Sequence, residues 1–364
     1  MLNAPSYLPC ALRSSSSYIS DSINTLLILS PSSKMEKLKG ATSPIPTSSP
    51  PKSVAFTLPE YQSPKYGILS HVPASWIPYG ELARIDKPVG IWLFYYPHLF
   101  GTLFVAACCA SPLSIEHVLW INLKLFLGAA FVRAAACAWN DNLDREFDRK
   151  VRRCRLRPIA RGALTPTQGH VFTGVLTVIA AAILITLPMA CMLVAVPSVA
   201  LLVLYPFAKR FTDFPQVILG FQLALAIPMG MAAVDPDFLN NGAYDKGANV
   251  AWTLVYDTVY AQQDVEDDKK AGVRSMAVRF RDRPKTLLTV IVVVQLTLLS
   301  LTGQLQGFGV GYFGAACGGS MVSMLWMLTT IDLKEPAQCG RWFRRGCWTI
   351  GLSVSCGLAL EAMP

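Results

Sequence analysis

Two short acidic stretches carry the residues of this chain best suited to chemistry. One is Asn140-Asp141-Asn142-Leu143-Asp144-Arg145-Glu146-Phe147-Asp148; the other runs from Asp257 through Asp264, Glu266 and Asp267 to Asp268. On a helix, Asn140, Asp144 and Asp148 recur every four residues and share a face, with Asp141 beside them. Asp264 and Asp268 repeat that spacing, and Asp257 lies about two turns upstream on nearly the same stripe. Each stretch closes a membrane-length apolar run, where carboxylates are costly and by default mark a functional site. Oxygen ligands grouped in this way suit Mg²⁺, which is usually held by one or two carboxylates together with phosphate oxygens. Two facing helices with such pairs can hold about two or three Mg²⁺ ions, which would neutralise a diphosphate as it leaves. The bland alternative for either stretch alone is a solvated charged loop. Finding both on one side of a membrane favours the metal.

Basic groups supply the other half of a diphosphate site. After the first cluster comes Arg152-Arg153-Cys154-Arg155-Leu156-Arg157-Pro158-Ile159-Ala160-Arg161-Gly162, and a second basic stretch is Tyr205-Pro206-Phe207-Ala208-Lys209-Arg210-Phe211-Thr212. Arg and Lys bind phosphate oxygens by charge-assisted hydrogen bonds, Arg often bidentately. Topology-setting charge or lipid-headgroup contact accounts for Arg341–Arg345 and much of 269–285. Arg153, Arg157, Lys209 and Arg210 each sit beside a cluster or a span end, which favours diphosphate binding. His98 falls inside an apolar run, where it is either a substrate contact or a satisfied core histidine. Trp92, Phe94, Phe100 and Trp139 suit an isoprenoid tunnel or a carbocation, and equally suit packing. The chain has no P-loop, no zinc-spaced Cys/His set and no nucleophile elbow.

The elements that must position these groups are membrane helices. Of 364 residues 52% are apolar and only 15% charged, with mean hydropathy +0.40. A soluble domain carries nearer a quarter charged residues. Nine apolar stretches lie near 88–110, 117–139, 170–188, 190–207, 215–234, 248–263, 286–304, 308–330 and 346–362, most approaching the ~20 residues that cross a bilayer. With nine spans, one side collects Arg84, Lys87, the run 145–161, Lys209, Arg210, the run 269–285, Lys334, Arg341, Arg344 and Arg345. The connections on the other side hold only Lys246. That asymmetry makes the basic side cytoplasmic or its equivalent, and it places both acidic clusters together there. The net charge of +9 is spread over these loops rather than along a soluble face, so it does not point to nucleic acid. Cysteines such as Cys108, Cys109, Cys137 and Cys191 fall within apolar runs and read as reduced packing residues. Residues 1–79 are Ser- and Pro-rich and read as a disordered extension ahead of a membrane domain over 80–364. Their targeting signal is weak, and Met35 is a candidate alternative start.

Four ordered motifs carry a family resemblance. They are Asn140-Asp141-x-x-Asp144-x-x-x-Asp148; the stretch ending Arg157-Pro158-Ile159-Ala160-x-Gly162; Tyr205-Pro206-x-x-Lys209-Arg210-x-Thr212-x-x-Pro215-Gln216; and Tyr256-Asp257-x-x-Tyr260-Ala261-x-x-Asp264-x-x-Asp267-Asp268. With Arg84-Ile85-Asp86-Lys87-Pro88-Val89-Gly90 at the approach to the first span, the chain over about 75–364 resembles the UbiA superfamily of intramembrane aromatic prenyltransferases. The resemblance implies an all-α bundle of about nine transmembrane helices around a central cavity, and Mg²⁺-dependent transfer of an isoprenoid to an aromatic ring. Two branches come nearest, the 4-hydroxybenzoate polyprenyltransferases of ubiquinone biosynthesis and the fungal enzymes that farnesylate polyketide-derived phenolic acids for meroterpenoids. Tyr95-Tyr96-Pro97-His98-Leu99-Phe100-Gly101-Thr102-Leu103 and the stretch Asp264–Phe280 resemble the fungal group more closely. Arg161, where the ubiquinone enzymes usually have a small residue, leans the same way and is expected near the diphosphate.

The resemblance implies roles residue by residue. Asn140, Asp141, Asp144, Asp148, Asp264 and Asp268 would hold Mg²⁺; Arg153, Arg157, Lys209 and Arg210 would hold the diphosphate. Asp144, Asp257 and Asp264 carry the catalysis, with Asp257 orienting the basic groups or stabilising the cation, while Arg84 and His98 are candidates for the aromatic acid. The implied partners are an isoprenoid diphosphate, an aromatic acid and the bilayer, with no obligate protein partner. The location is an endoplasmic-reticulum-type membrane or, alternatively, the mitochondrial inner membrane. A polytopic transporter is the main non-enzyme alternative, although transporters place their charges near the midplane at broken helices. A CDP-alcohol phosphotransferase lacks its glycine-spaced signature here.

Overall fold

The computed structural model describes residues 61–109, 113–241 and 246–363, and every regular element among them is helical. They lie within one compact unit, Pro59–Pro364. In chain order the elements are α1 (Ile77–Leu82), α2 (Val89–Cys108), α3 (Ile115–Leu143), α4 (Arg145–Asp148), α5 (Pro166–Leu184), α6 (Met189–Phe211), α7 (Pro215–Ala224) and α8 (Ala226–Val234). They continue with α9 (Gly247–Ala261), α10 (Val265–Ala271), α11 (Met276–Arg279), α12 (Pro284–Gln306), α13 (Val310–Tyr312), α14 (Gly319–Thr330) and α15 (Pro336–Glu361).

Among the described residues six segments are long and apolar enough to cross a membrane: α2, α3, α5, α6, α7 with α8, and α12. The sixth expected span is met by α9, at 15 residues shorter than a full crossing. The eighth is built from α13, a π-helical turn at Phe313–Gly318 and α14. The ninth begins at Pro336 rather than near 346, so Arg341, Arg344 and Arg345 ride on α15 instead of in a loop. Large apolar side chains face outward all round: Val178 of α5 is 69% exposed, Val196 of α6 70% and Val293 of α12 57%. A surface so apolar belongs in lipid.

Local sequence explains the boundaries that matter. Thr165 and Gln168 close α5 with a reciprocal capping box, and Pro166 occupies its first turn. At 29 residues α3 is ~43 Å long, more than the ~30 Å hydrocarbon core, so its last turns bring Asn140 and Asp141 out at the membrane edge. Helix α2 crosses α8 at close quarters because Gly101 faces the Ile227 carbonyl and Gly230 faces the His98 carbonyl, where any side chain would collide with backbone. That crossing fixes the wall carrying Phe94 and His98. The larger core cluster joins α2, α9, α12, α14 and α15 through Tyr96, Phe104, Trp252, Leu288 and Ile350.

The segment before residue 80 departs from expectation where it can be followed. Residues 1–60 of the expected disordered extension lie outside the described residues. Residues 61–79 carry a 3₁₀ turn, Ile68–His71, whose Leu69 is buried against Gly80. Tyr61 stacks 3.8 Å from the Arg161 guanidinium and donates a hydrogen bond to Glu81 at 2.8 Å. These partners give the stretch both apolar and polar contacts with the helical domain.

Candidate active site

The ends of α3, α6 and α9, the start of α7, and the loop 149–165 enclose a cavity of about 240 Å³. Helical hydrogen bonding continues through the bend at Asp144, since Asp144 N–H donates to Asn140 and Asp148 N–H to Asp144, both at 2.8 Å. Asn140, Asp144 and Asp148 therefore keep a common face, and all three line the cavity. Across from them the chain bends again at Asp264, between α9 and α10, and Asp257, Asp264 and Asp268 line the opposite wall. The two clusters thus meet, as the shared membrane side requires.

Arg84, Arg153, Arg157 and Lys209, which face this space, are each paired with a carboxylate, whereas Arg274 on the same wall donates to the Phe211 carbonyl at 3.2 Å. Lys209 Nζ donates to Asp144 Oδ2 at 2.7 Å and to Asn140 Oδ1 at 3.3 Å. Arg157 Nη1 bridges Asp148 Oδ2 at 2.8 Å and Asp141 Oδ1 at 3.0 Å. Arg153 Nε lies 2.9 and 3.0 Å from the two oxygens of Asp264, and its Nη1 donates to Tyr260 Oη at 2.7 Å. Next to it, Arg152 donates from both backbone and side chain to Asp267, each at 3.1 Å, stapling the loop to α10. Burial pushes the Asp148 carboxyl up to about 6 although Arg157 opposes it. Burial, then the charge of Asp264, pushes Asp268 up to about 7. Carboxyls crowded until they resist ionising are what a cation would relieve.

The donor set fits magnesium diphosphate. Among the described residues no three His, Cys, Asp or Glu side chains converge on one point. A Mg²⁺ ion that takes one or two carboxylates and completes its shell with phosphate oxygens and water needs no such convergence. Hard oxygen donors on two walls, interleaved with Arg153, Arg157 and Lys209, provide both halves.

Two expected ligands fall outside the cavity. Asp141 is 1% exposed and does not line it; its Oδ1 instead accepts from Arg84 at 2.9 Å and Arg157 at 3.0 Å. Arg210 turns outward, donates to the Leu143 carbonyl at 2.9 Å and stacks over Phe147 and Phe207. Each follows a neighbour that does face the cavity, and a helix turns ~100° per residue, so only one of each pair can point in. Arg161 also lies off the cavity wall, donating to Glu81 and to the Leu156 carbonyl, both at 2.6 Å.

A second cavity, of about 290 Å³, opens between α2, α3, α5, α6 and α8. Val132, Ala180, Leu184, Val199 and Met229 line it, with Trp139 and His98. His98 Nδ1 lies 3.0 Å from the Phe94 carbonyl, so the ring is held by its own helix and is not brought to Arg84. Phe94, Leu202 and Gln222 line both cavities. Trp92 and Phe100 pack within the core instead.

The UbiA prenyltransferase family profile matches residues 97–350. The chain belongs to that family. It is a prenyltransferase and an integral membrane protein. Among curated UbiA-type relatives, the prenyltransferase ascA of Acremonium egyptiacum is 41% identical over 77% of this chain and 85% of its own length. The prenyltransferase stbC of Stachybotrys bisbyi is 38% identical over 78% and 86%, and the DMOA farnesyltransferase nvfB of Aspergillus novofumigatus 34% over 79% and 93%. The fold matches a UbiA homolog from Aeropyrum pernix K1, with TM-score 0.62 and 17% identity over 75% of this chain and 98% of that one. It also matches a UbiA homolog from Archaeoglobus fulgidus solved with GPP and Mg²⁺, with TM-score 0.61 and 17% identity over 79% and 100%.

Two groups of this UbiA enzyme escape a reading of its motifs. Arg133, 5% exposed and well inside α3, donates to the carbonyls of Ala83, Arg84 and Lys87 at 3.0, 2.9 and 3.1 Å. It ties down the corner where Arg84 adopts φ 54°, a left-handed conformation that costs a non-glycine residue and that over-determined surroundings must hold. From that corner Arg84 reaches Asp141 and lines the cavity. The signal was a lone arginine within an apolar span. Gln222, the second, is an amide buried in the fifth span.

Proposed function

We propose that this enzyme transfers a farnesyl or related isoprenoid group from its diphosphate to a ring carbon of a phenolic, polyketide-derived acid, with Mg²⁺, in meroterpenoid biosynthesis. The observation that carries the proposal is the junction at Phe94, Leu202 and Gln222, where a charged cavity meets an apolar one. A molecule with a diphosphate at one end and a hydrocarbon tail at the other fits across it. The fungal relatives and the name of nvfB, a DMOA farnesyltransferase, support a farnesyl donor and a polyketide-type acid. An endoplasmic-reticulum-type membrane is the setting this role implies.

In this mechanism Asn140, Asp144, Asp148, Asp264 and Asp268 would hold Mg²⁺, which would supply charge neutralisation of the diphosphate. Arg153, Arg157 and Lys209 exchange their carboxylate partners for phosphate oxygens and draw charge onto the leaving group. As the allylic C1–O bond breaks, C1 lies at the junction, where Phe94 presents an aromatic face and the apolar walls exclude water. Asp257, on the cavity wall, steadies the cation by its charge and orients the basic groups. Arg84 holds the carboxylate of the acceptor. The ring carbon attacks C1, the new C–C bond forms, and loss of the ring proton restores aromaticity.

The test is an assay on isolated membranes with farnesyl diphosphate, offering an orsellinic-type acid and 4-hydroxybenzoate in parallel, with and without EDTA. Mg²⁺-dependent farnesylation of the polyketide acid alone supports the proposal. Turnover of 4-hydroxybenzoate that improves with longer donors would replace it with the ubiquinone-pathway role.

A further inference from the structure

Of the three residues shared by the two cavities, Phe94 of α2 and Leu202 of α6 are apolar. Gln222 of α7 is the polar group at that junction, 4% exposed within a membrane span. Its Nε2 lies 3.4 Å from Ser198 Oγ, and its Oε1 has no hydrogen-bond partner. Gln216, one and a half turns earlier on the same helix, makes the contrast. It also lines the charged cavity, but its Oε1 accepts from the Met276 backbone N–H at 3.1 Å, so its amide is committed to holding the fold. Buried polar atoms in folded proteins are almost always satisfied, and an exception at a cavity wall calls for an explanation.

The chemistry of the substrates narrows what could satisfy it. With Nε2 turned to Ser198, Oε1 can only accept a hydrogen bond, so its partner in this orientation brings an O–H or N–H. An isoprenoid tail has neither, and an ionised diphosphate has no proton to give. A phenolic acid has its hydroxyl, on an apolar ring suited to the Phe94 and Leu202 side chains that line the junction with Gln222.

We infer that Gln222 orients the acceptor: its Oε1 accepts the phenolic O–H at the junction and sets the ring carbon beside that hydroxyl against C1 of the donor. The inference rests on the phenolic-acceptor reading above and adds the group that selects the alkylated position. A site built to bond a hydroxyl also rejects analogues that lack one, because its own buried oxygen is then left unpaired.

The experiment compares wild type with Gln222→Met, which keeps the volume and removes the amide. Each is run on the same membranes with farnesyl diphosphate and two acceptors, the phenolic acid and the analogue whose hydroxyl beside the alkylated carbon is methylated. Wild type should favour the phenol in kcat/KM by about tenfold or more, and Gln222→Met should bring the two acceptors within about twofold. KM for farnesyl diphosphate should stay within about twofold, which separates acceptor orientation from damage to the donor site. The acceptor ratio cancels any loss of folded enzyme, and Gln222→Leu gives the same reading if the methionine variant is too poor to assay. A preference for the phenol that survives in the variants overturns the inference. So does an equal loss on both acceptors accompanied by a raised donor KM. Wild-type membranes that prenylate no phenol at all would overturn the phenolic-acceptor reading itself, and this inference with it.

Discussion

The cavity between the acidic loops and the cavity between α3, α5 and α6 are similar in size, about 240 and 290 Å³, and opposite in character. In the first, Lys209, Arg157 and Arg153 each hold a carboxylate within hydrogen-bonding distance. In the second, Lys124 is the one formally charged residue among the described lining, and its Nζ is drawn off to the Thr186 carbonyl at 3.2 Å. Under the proposed function, this difference in charge decides where each end of an amphiphilic donor lies. The carboxylate–cation pairs show how a membrane enzyme keeps so many charges at a bilayer edge, since each is neutralised until a ligand offers something better.

Removing a charge from the first cavity should be the most damaging way to test that division. Asp144→Ala and Asp264→Ala are each expected to lower diphosphate release by ~1000-fold or more, with the protein still inserted and folded in membranes. Retained turnover in either variant would sink the metal assignment. Lys209→Ala should cost ~100-fold in kcat/KM for the prenyl diphosphate, because it loses a phosphate ligand and leaves Asp144 unpaired. The second cavity should respond in selectivity rather than in chemistry. Filling it with Ala180→Phe should move the preference from farnesyl toward geranyl diphosphate by ~10-fold, read from competition between the two donors, and an unchanged preference would place the tail elsewhere. The smallest effect belongs to Arg210→Ala, expected within about threefold of wild type since that side chain faces away from both cavities. A loss matching that of Lys209→Ala would show that Arg210 swings inward on binding.

Much of the charged cavity was legible in the sequence because the acidic and amide side chains lining it repeat at helical spacing. Asn140, Asp144 and Asp148 could be assigned to one face without coordinates, and the loop charges alone put Asp264 on the same side of the membrane. Asp141 and Arg210, both expected at the site, lie outside the cavity lining for a shared reason. Being adjacent to a true cavity residue in sequence brings a motif match but not the same face of the helix. Of the apolar cavity only Phe94, His98 and Trp139 stood out in the sequence, since Val132, Ala180 and Leu184 differ in no way from lipid-facing residues until the neighbouring helices are placed. Gln222 and Arg133 were visible as polar residues in apolar spans, yet what each does depends on atoms far away in sequence. For Arg133 those atoms are the carbonyls of Ala83, Arg84 and Lys87, about fifty residues earlier.

That distance bears on how the chain enters the bilayer. An arginine near the centre of an isolated membrane helix costs ~2.5–3.5 kcal/mol to insert. Arg133 sits about one turn past the middle of α3, and the carbonyls that satisfy it belong to a corner synthesised before α3 itself. The turn over 83–87 therefore supplies the partners that offset the cost of this charge in α3, and the two are expected to be more stable in lipid together than apart. The same contact that holds the corner carrying Arg84 beside the cavity also shelters an arginine within the bilayer.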